Sequence, residues 1–155
     1  MKKLKRGQAS IDTELSRFMQ EVQEGEIPYG SQRKITYDEF LSNRMMIIAA
    51  IRVGIPYNLF NLIQKHTPFT ETDWAGYLGI STKSLQRYRQ QSAKHHFKPI
   101  QSEKIIELAE VTKAGMDVFG NMETLKLWLQ TPNYALGKMQ PIDLLKDSYG
   151  KEWVL

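Results

Sequence analysis

The sequence contains no cysteine. This absence excludes disulfide scaffolds, thiol catalysis, iron–sulfur clusters and zinc fingers with cysteine ligands, and it fits a reducing cytoplasm. No apolar run approaches the roughly 20 residues that a membrane-spanning helix needs. The basic start of the chain leads into Gly7 and a charged segment instead of an apolar stretch, so we expect no secretory signal peptide.

Patterns typical of enzymes are also missing. The glycines are single turn residues, so no nucleotide-binding loop is expected. His95 and His96 are adjacent, and adjacent helix residues face different sides, so we interpret them as part of a basic surface and not as a metal site. Asp143 and Asp147 lie one turn apart, as solvated helix charges often do. We therefore predict that the protein is not an enzyme and has no catalytic residues, metal or cofactor.

The 155 residues are 41% hydrophobic and 25% charged, as in an ordinary globular protein. Apolar residues recur at steps of three and four along nearly every segment, and no alternating strand pattern exceeds four residues. The predicted fold class is therefore all-α, a bundle of helices. One helix is expected from about Tyr37 to Val53. Its apolar centre, Met45 to Ile51, predicts that it is the buried central helix.

Basic residues are concentrated in the middle of the chain. Residues 41–99 contain eight lysines and arginines but two acidic residues, whereas residues 100–155 contain six basic and eight acidic residues. A basic middle beside a mildly acidic end suggests two functions, the first of which is binding to a polyanion. An ordinary solvated basic face is the alternative that charge alone leaves open.

The sharpest local pattern lies in residues 71–90. A helix-turn-helix requires a small residue where its two helices cross, a turn residue that tolerates positive φ, and apolar residues that point back into the core. Ala75, Gly79 and Leu85 stand at these three positions, and Ser81 has the place of an N-cap for the second helix. The pattern predicts a DNA-binding helix-turn-helix. A helical hairpin that only packs is the alternative.

The outward face of the second helix has side chains suited to DNA. Arginine can read guanine edges and glutamine can read adenine, while serine, threonine and lysine can hold phosphates. We expect Lys83, Ser84 and Arg87 to reach base edges, because the first turns of a recognition helix enter the major groove most deeply. Lys94 and Lys98 are expected to contact the DNA backbone. The predicted DNA-binding residues are Ser81, Thr82, Lys83, Ser84, Gln86, Arg87, Arg89 and Lys94.

The C-terminal part carries a more specific pattern. From residue 118 onward the sequence contains Phe119-Gly120, Trp128-Leu129, Thr131-Pro132-Asn133, Ala135-Leu136-Gly137 and Pro141-Ile142-Asp143-Leu144-Leu145. This pattern resembles the toxin-binding domain shared by the Xre/ParS/MbcA antitoxins of bacterial type II toxin–antitoxin modules. That family places an Xre-like helix-turn-helix just ahead of the domain, so the resemblance extends over residues 70–155.

The resemblance implies an antitoxin that binds and occludes a RES-type toxin and represses its own operon. Toxins of this type consume NAD or transfer from it, whereas the antitoxin holds no cofactor. The implied partners are the cognate toxin and operator DNA, in the bacterial cytoplasm. Family members usually continue past the final glycine with another helix and a short tail that reaches the toxin's active site, whereas this sequence stops at Trp153-Val154-Leu155. Either the sequence is shortened or this member lacks that tail, so the residues that block the toxin are not assigned. The expected toxin-binding residues are Trp128, Pro132, Asn133, Leu136, Pro141, Leu144, Leu145 and Trp153.

Three regions follow from these interpretations. They are an N-terminal helical or flexible extension (residues 1–35), a helix-turn-helix domain (36–99) and a toxin-binding domain (100–155), for which truncation at the C-terminus stays open. A homodimer is expected, because one helix-turn-helix reads only a half-site. The alternative function is a stand-alone dimeric helix-turn-helix regulator whose C-terminal part only dimerises.

Large apolar residues are frequent between Trp128 and Val154. So short a segment cannot bury all of them by itself, and we expect about half to pack against the preceding helix. Trp128 and Leu129 are the expected core members. The remaining apolar surface favours a partner or self-association.

Overall fold

The computed structural model describes residues 2–23, 34–91 and 94–155. The regular elements in these ranges are helices, which confirms the all-α prediction. The helices are α1 (Lys2–Gln23), α2 (Tyr37–Leu41), α3 (Arg44–Val53), α4 (Tyr57–Lys65), α5 (Glu71–Leu78), α6 (Thr82–Gln91), α7 (Pro99–Phe119), α8 (Met122–Leu129), α9 (Pro141–Leu144) and α10 (Ser148–Val154), with a short 3-10 helix at Tyr134–Leu136.

The N-terminal helix α1 is built into the core. Its apolar stripe, which includes Ile11, Leu15 and Met19, is buried where α1 packs against α3 and α4. Asp12 accepts a hydrogen bond of 2.8 Å from the backbone N–H of Tyr37. This bond ties the start of α2 to α1 across 25 positions of sequence.

The single helix expected from Tyr37 to Val53 is wrong, because the structure divides it into α2 and α3. The Asn43 side chain accepts a hydrogen bond of 3.1 Å from the backbone N–H of Met46 and so caps a new helix. An N-cap residue has extended backbone angles, which end the preceding helix.

The expected burial of this segment is also wrong. Met45 is 74% exposed and Ile48 is 41% exposed, and Ala50 is the residue of α3 that is fully buried. The helix packs against α1, α2 and α7 by one face, so the opposite face of an apolar helix remains in solvent. This exposed face of α3 consists of Arg44, Met45, Ile48, Arg52 and Val53.

An aromatic cluster joins α4, α5 and the segment that leads into α7. Phe60 contacts Trp74 at a ring separation of 5.1 Å and Phe97 at 5.0 Å, both in edge-on arrangements that aromatic quadrupoles favour. Tyr57 packs against Phe60 at 5.6 Å, and all four rings are buried. The cluster fixes the position of α5 relative to α4, and therefore also the position of the turn that follows α5.

The long helix α7 links the two halves of the fold. Its buried residues include Ile105, Ile106 and Leu108, and the helix packs against α2, α3 and α5, which precede it, as well as against α8. Helix α8 approaches closely at Gly115, where a Cβ atom would overlap the side chain of Leu125. The helix starts at Pro99, because proline suits a first helical turn and lacks the N–H that this turn leaves unpaired.

Candidate nucleic-acid and partner-binding surfaces

The turn between α5 and α6 has the geometry that a helix-turn-helix requires. Gly79 adopts a left-handed conformation (φ 68°, ψ 30°) and ends α5. The backbone N–H of Ile80 then donates to the carbonyl oxygen of Ala75 at 3.0 Å. This bond satisfies a carbonyl at the end of α5 and turns the chain into α6.

Both helices of the motif begin with a capped first turn. Thr70 and Asp73 form a reciprocal capping box, with backbone N–H to side-chain oxygen distances of 2.9 and 3.1 Å. Ser81 accepts a hydrogen bond of 3.1 Å from the backbone N–H of Ser84. The hydroxyl of Ser81 also donates to the hydroxyl of Ser84 at 3.1 Å, so both serines take part in capping α6.

The two sides of α6 have different environments. Leu85 is fully buried, and Ile80 and Tyr88 are partly buried against the core, as their spacing predicts. The opposite side is exposed, and we call it the recognition face. It consists of Thr82, Lys83, Gln86 and Arg87. The structure brings these four predicted residues together on one side of one helix, while their contact with DNA stays a prediction.

Arg89, which the sequence placed with the DNA contacts, is engaged within the protein. Its Nε donates to the hydroxyl of Tyr57 at 3.1 Å, and its Nη2 donates to Oε1 of Glu71 at 2.8 Å. The hydrogen bond to Tyr57 and the attraction of Glu71 raise the pKa of Arg89 above its ordinary value. The guanidinium therefore connects α6 to α4 and α5.

The segment after α6 continues the basic surface. Lys94, His96 and Lys98 are exposed. His96 pairs with Pro56 in an isolated antiparallel bridge, which places this segment beside the connection between α3 and α4. Lys94 and Lys98, which are predicted to contact the DNA backbone, thus lie on either side of this bridge.

His95 attaches this segment to α6. Its ring stacks on Tyr88 with 3.6 Å between ring centroids and an interplanar angle of 10°. Its Nε2 is buried and has no hydrogen-bond partner among the described residues. Burial, followed by the charges of His96 and Arg87, lowers the pKa of His95. The folded protein therefore favours the neutral imidazole.

The residues predicted to bind the toxin divide into two groups. Pro132 and Trp153 are exposed, and Trp153 is 58% exposed. Leu136, Pro141 and Leu145 are buried within the C-terminal part. Trp128, Asn133 and Leu144 lie between these limits. The group is thus not a single exposed surface, and its role in binding stays a prediction.

Trp128 and Asn133 each have a local packing role. Trp128 packs against Phe119 at a ring separation of 5.6 Å, while the expected core residue Leu129 is buried. Asn133 accepts a hydrogen bond of 2.9 Å from the backbone N–H of Ala135, and its own N–H donates to the carbonyl of Met139 at 3.1 Å. Asn133 therefore closes the loop between α8 and α9.

Sequence reasoning missed several exposed apolar side chains in the same region. Tyr134 is 85% exposed beside Asn133, with the ammonium of Lys138 5.4 Å from its ring centroid. Leu127, Met139 and Tyr149 are also exposed. One feature of the sequence could have indicated the exposure of Tyr134. The family pattern does not fix the residue at this position, although the residues on either side of it belong to the pattern.

Hydrogen bonds to main-chain carbonyls attach α9 to the rest of the fold. The hydroxyl of Tyr77 in α5 donates to the carbonyl of Ile142 at 2.7 Å, and Nζ of Lys104 in α7 donates to the carbonyl of Leu145 at 3.0 Å. Lys104 also pairs with the buried Glu107 at 2.9 Å. Burial raises the pKa of Tyr77, so its hydroxyl stays protonated and remains a donor.

We expect the stability of the protein to depend on pH through His95. Because folding lowers the pKa of His95, the unfolded chain binds the proton more readily, and the free energy of unfolding falls as the pH drops below about 6.5. His95→Phe keeps an aromatic ring on Tyr88 and removes the ionisation. The melting temperature of the wild type should therefore fall more between about pH 7.5 and 5.5 than that of His95→Phe. The exposed His96→Gln is the control, and equal slopes for wild type and His95→Phe would contradict the assignment.

Within the described residues, no group of three or more histidine, cysteine or acidic side chains has the arrangement of a metal site. None of the helices in those ranges is long and apolar enough to cross a membrane.

Comparison with known proteins identifies two domains. The antitoxin Xre-like helix-turn-helix domain matches residues 46–110. The antitoxin Xre/MbcA/ParS C-terminal toxin-binding domain matches residues 114–155. The protein named Antitoxin Xre from Yersinia enterocolitica (serotype O:8 / biotype 1B, strain NCTC 13174 / 8081) is 26% identical over 110 residues, which cover 70% of this chain and 73% of that relative.

These ranges differ from the predicted division at residues 35 and 99, and the predicted boundaries stay predictions. The first range contains α5, α6 and the turn at Gly79, and the second contains α8 to α10. Because the two matched domains follow each other along one folded chain, the chain belongs to the Xre/MbcA/ParS family of antitoxins.

Proposed function

We propose that this chain neutralises a RES-type toxin, which consumes NAD, by direct binding, and represses its own operon through its helix-turn-helix. The observation that carries the proposal is the coexistence of an exposed basic recognition face on α6 with an exposed aromatic surface in the matched toxin-binding domain. In this proposal the chain is not an enzyme. The chemistry belongs to the toxin, and the chain acts in the cytoplasm, where operator and toxin are accessible.

The proposed toxin-binding surface is the exposed part of the C-terminal domain. Exposed tyrosine and tryptophan side chains are typical of protein interfaces, because they bury a large area with few rotatable bonds. The surface consists of Leu127, Pro132, Tyr134, Met139, Tyr149 and Trp153. The motif residues Leu136, Pro141 and Leu145 are buried within the same domain, so the proposed surface does not include them.

Co-expression with a RES-type toxin encoded beside this chain tests the neutralisation. We expect the wild type to restore growth and cellular NAD and to purify with the toxin. Trp153→Ala should weaken the complex at least about tenfold, since exposed aromatic residues are frequent binding hot spots. Ile100→Ala is the matched control, because Ile100 is 75% exposed but lies in the first turn of α7.

The antitoxin proposal would be contradicted if cellular NAD still fell when the wild type is co-expressed and if the wild type formed no stoichiometric complex with the toxin. Recovery of the chain from native cells as a lone homodimer would favour the stand-alone regulator.

The proposed DNA contact is made by the recognition face. Lys83 and Arg87 are one helical turn apart and point the same way, so they can enter one groove together. Apart from Glu71, which pairs with Arg89, and the capping residue Asp73, no acidic residue lies between residues 41 and 99. The acids of this segment therefore oppose the positive potential of the face only weakly.

Two substitutions separate base reading from backbone contact. Arg87→Ala should cost about 1–3 kcal/mol of operator binding and relax the sequence preference. Lys94→Ala should weaken binding to all sequences alike and reduce the slope of log affinity against log salt by about one. Fluorescence anisotropy with the DNA upstream of the gene and a scrambled duplex measures both effects. Equal affinity of the wild type and Arg87→Ala would contradict the placement of the recognition face.

The proposed repressor acts as a homodimer. The exposed face of α3 offers apolar surface outside the residues matched to the toxin-binding domain, and Met45, Ile48 and Val53 are its apolar members. Exposed apolar patches of this kind mark contact surfaces.

Light scattering of the purified chain tests the dimer. The wild type should have the mass of two copies, and Ile48→Glu should give a folded monomer because it places a charge in an apolar interface. Leu127→Glu, on the toxin-binding side, should remain dimeric. A monomeric wild type would contradict the homodimer, and a dimeric Ile48→Glu would move the interface elsewhere.

A further inference from the structure

Arg89 points away from Arg87, although it lies near Thr82 and Gln86 at the edge of the recognition face. Leu85 and Arg89 are one turn apart, so the Arg89 side chain leaves the helix on the side where Leu85 is fully buried. Arg87 precedes it by two residues, which places the two arginines about 200° apart around the helix axis. The two arginines therefore cannot point into the same groove.

The partners of Arg89 begin the two helices that precede α6. Tyr57 is the first residue of α4 and is 2% exposed, whereas Glu71 is the first residue of α5. The Tyr57 hydroxyl accepts from Nε and the Glu71 carboxylate accepts from Nη2, so two nitrogens of one planar guanidinium are held at once. One side chain therefore connects three helices.

The location of this contact along α6 gives it a specific effect. The first turn of α6 is fixed by the bend at Gly79 and the Ser81 cap, while Leu85 anchors its middle. Arg89 acts in the last turn, where the chain leaves the helix. Small shifts of that last turn change the tilt of the helix, and the contacts of Arg89 oppose them together with the stack of Tyr88 on His95.

We propose that Arg89 is a positioning residue that sets the tilt of α6 through Glu71 and Tyr57, and thereby the sequence selectivity of the recognition face. The inference rests on the proposed DNA binding and deepens it. Selective binding requires several side chains to meet base edges at once, so a change of tilt lowers binding to the operator more than binding to arbitrary DNA.

Neutralising Glu71 distinguishes this role from a DNA contact, because the two roles predict opposite signs. If Arg89 contacted phosphate, Glu71→Gln would release it and remove a repulsive charge, so affinity for all DNA would rise and the salt slope would steepen. If Arg89 positions α6, Glu71→Gln should lower affinity for the upstream duplex about three- to tenfold, leave the scrambled duplex nearly unchanged and preserve the salt slope.

A second variant tests the same contact from the other side. Arg89→Lys keeps the positive charge but cannot hold two partners in one plane, so it should reproduce the loss seen with Glu71→Gln. Because both substitutions break one contact, the double variant should lose little more than either single variant. Glu123→Gln, an exposed acid in α8, is the matched control for removal of one negative charge.

All variants are measured as full-length chains with the upstream and scrambled duplexes, and circular dichroism verifies that they are folded. Higher affinity of Glu71→Gln, a smaller salt slope for Arg89→Lys, or additive losses in the double variant would overturn the positioning role. A wild type that binds neither duplex would instead overturn the proposed DNA binding itself.

Discussion

The bend at Gly79 is the constraint on which the functional arrangement depends. Its left-handed backbone lets Ile80 bond back to Ala75, and this closure directs the start of α6 away from α5. Ala75 is small and buried, so the second helix can cross close to the first. A side chain at Gly79 would meet no neighbouring atom, and therefore the requirement for glycine comes from the backbone angle alone.

Local rules explain why the sequence predicts this motif well. Capping by Thr70 and Ser81, the glycine bend and the burial of Leu85 each depend on residues within a few positions of one another. The break at Asn43 was not predicted, because the apolar residues that follow it suggest one continuous helix and Asn43 was not recognised as an N-cap. The exposure of Ile48 could not be predicted, because an apolar helix does not indicate which of its faces α7 and α1 will cover.

The candidate site was predictable in chemical type but not in detail. Basic residues in α6 and the C-terminal motif indicated two binding surfaces, and the exposure of Arg87 and Trp153 agrees with that division. From the sequence alone Arg89 looks like Arg87, a basic residue in a predicted recognition helix. Its partners Glu71 and Tyr57 lie far away in sequence, so its contacts within the protein could not be predicted. A family motif also does not show which of its residues are buried, such as Leu145, and which are exposed and able to bind a partner.

The bond from Tyr77 to the carbonyl of Ile142 has a thermodynamic consequence for two ligands at once. Tyr77 belongs to α5, the first helix of the helix-turn-helix, whereas Ile142 belongs to α9 in the toxin-binding domain. If DNA bound more tightly to the chain with this bond intact, and a bound protein shifted α9 enough to break it, the two ligands would be coupled through the bond. Each ligand would then change the affinity of the chain for the other by the same factor.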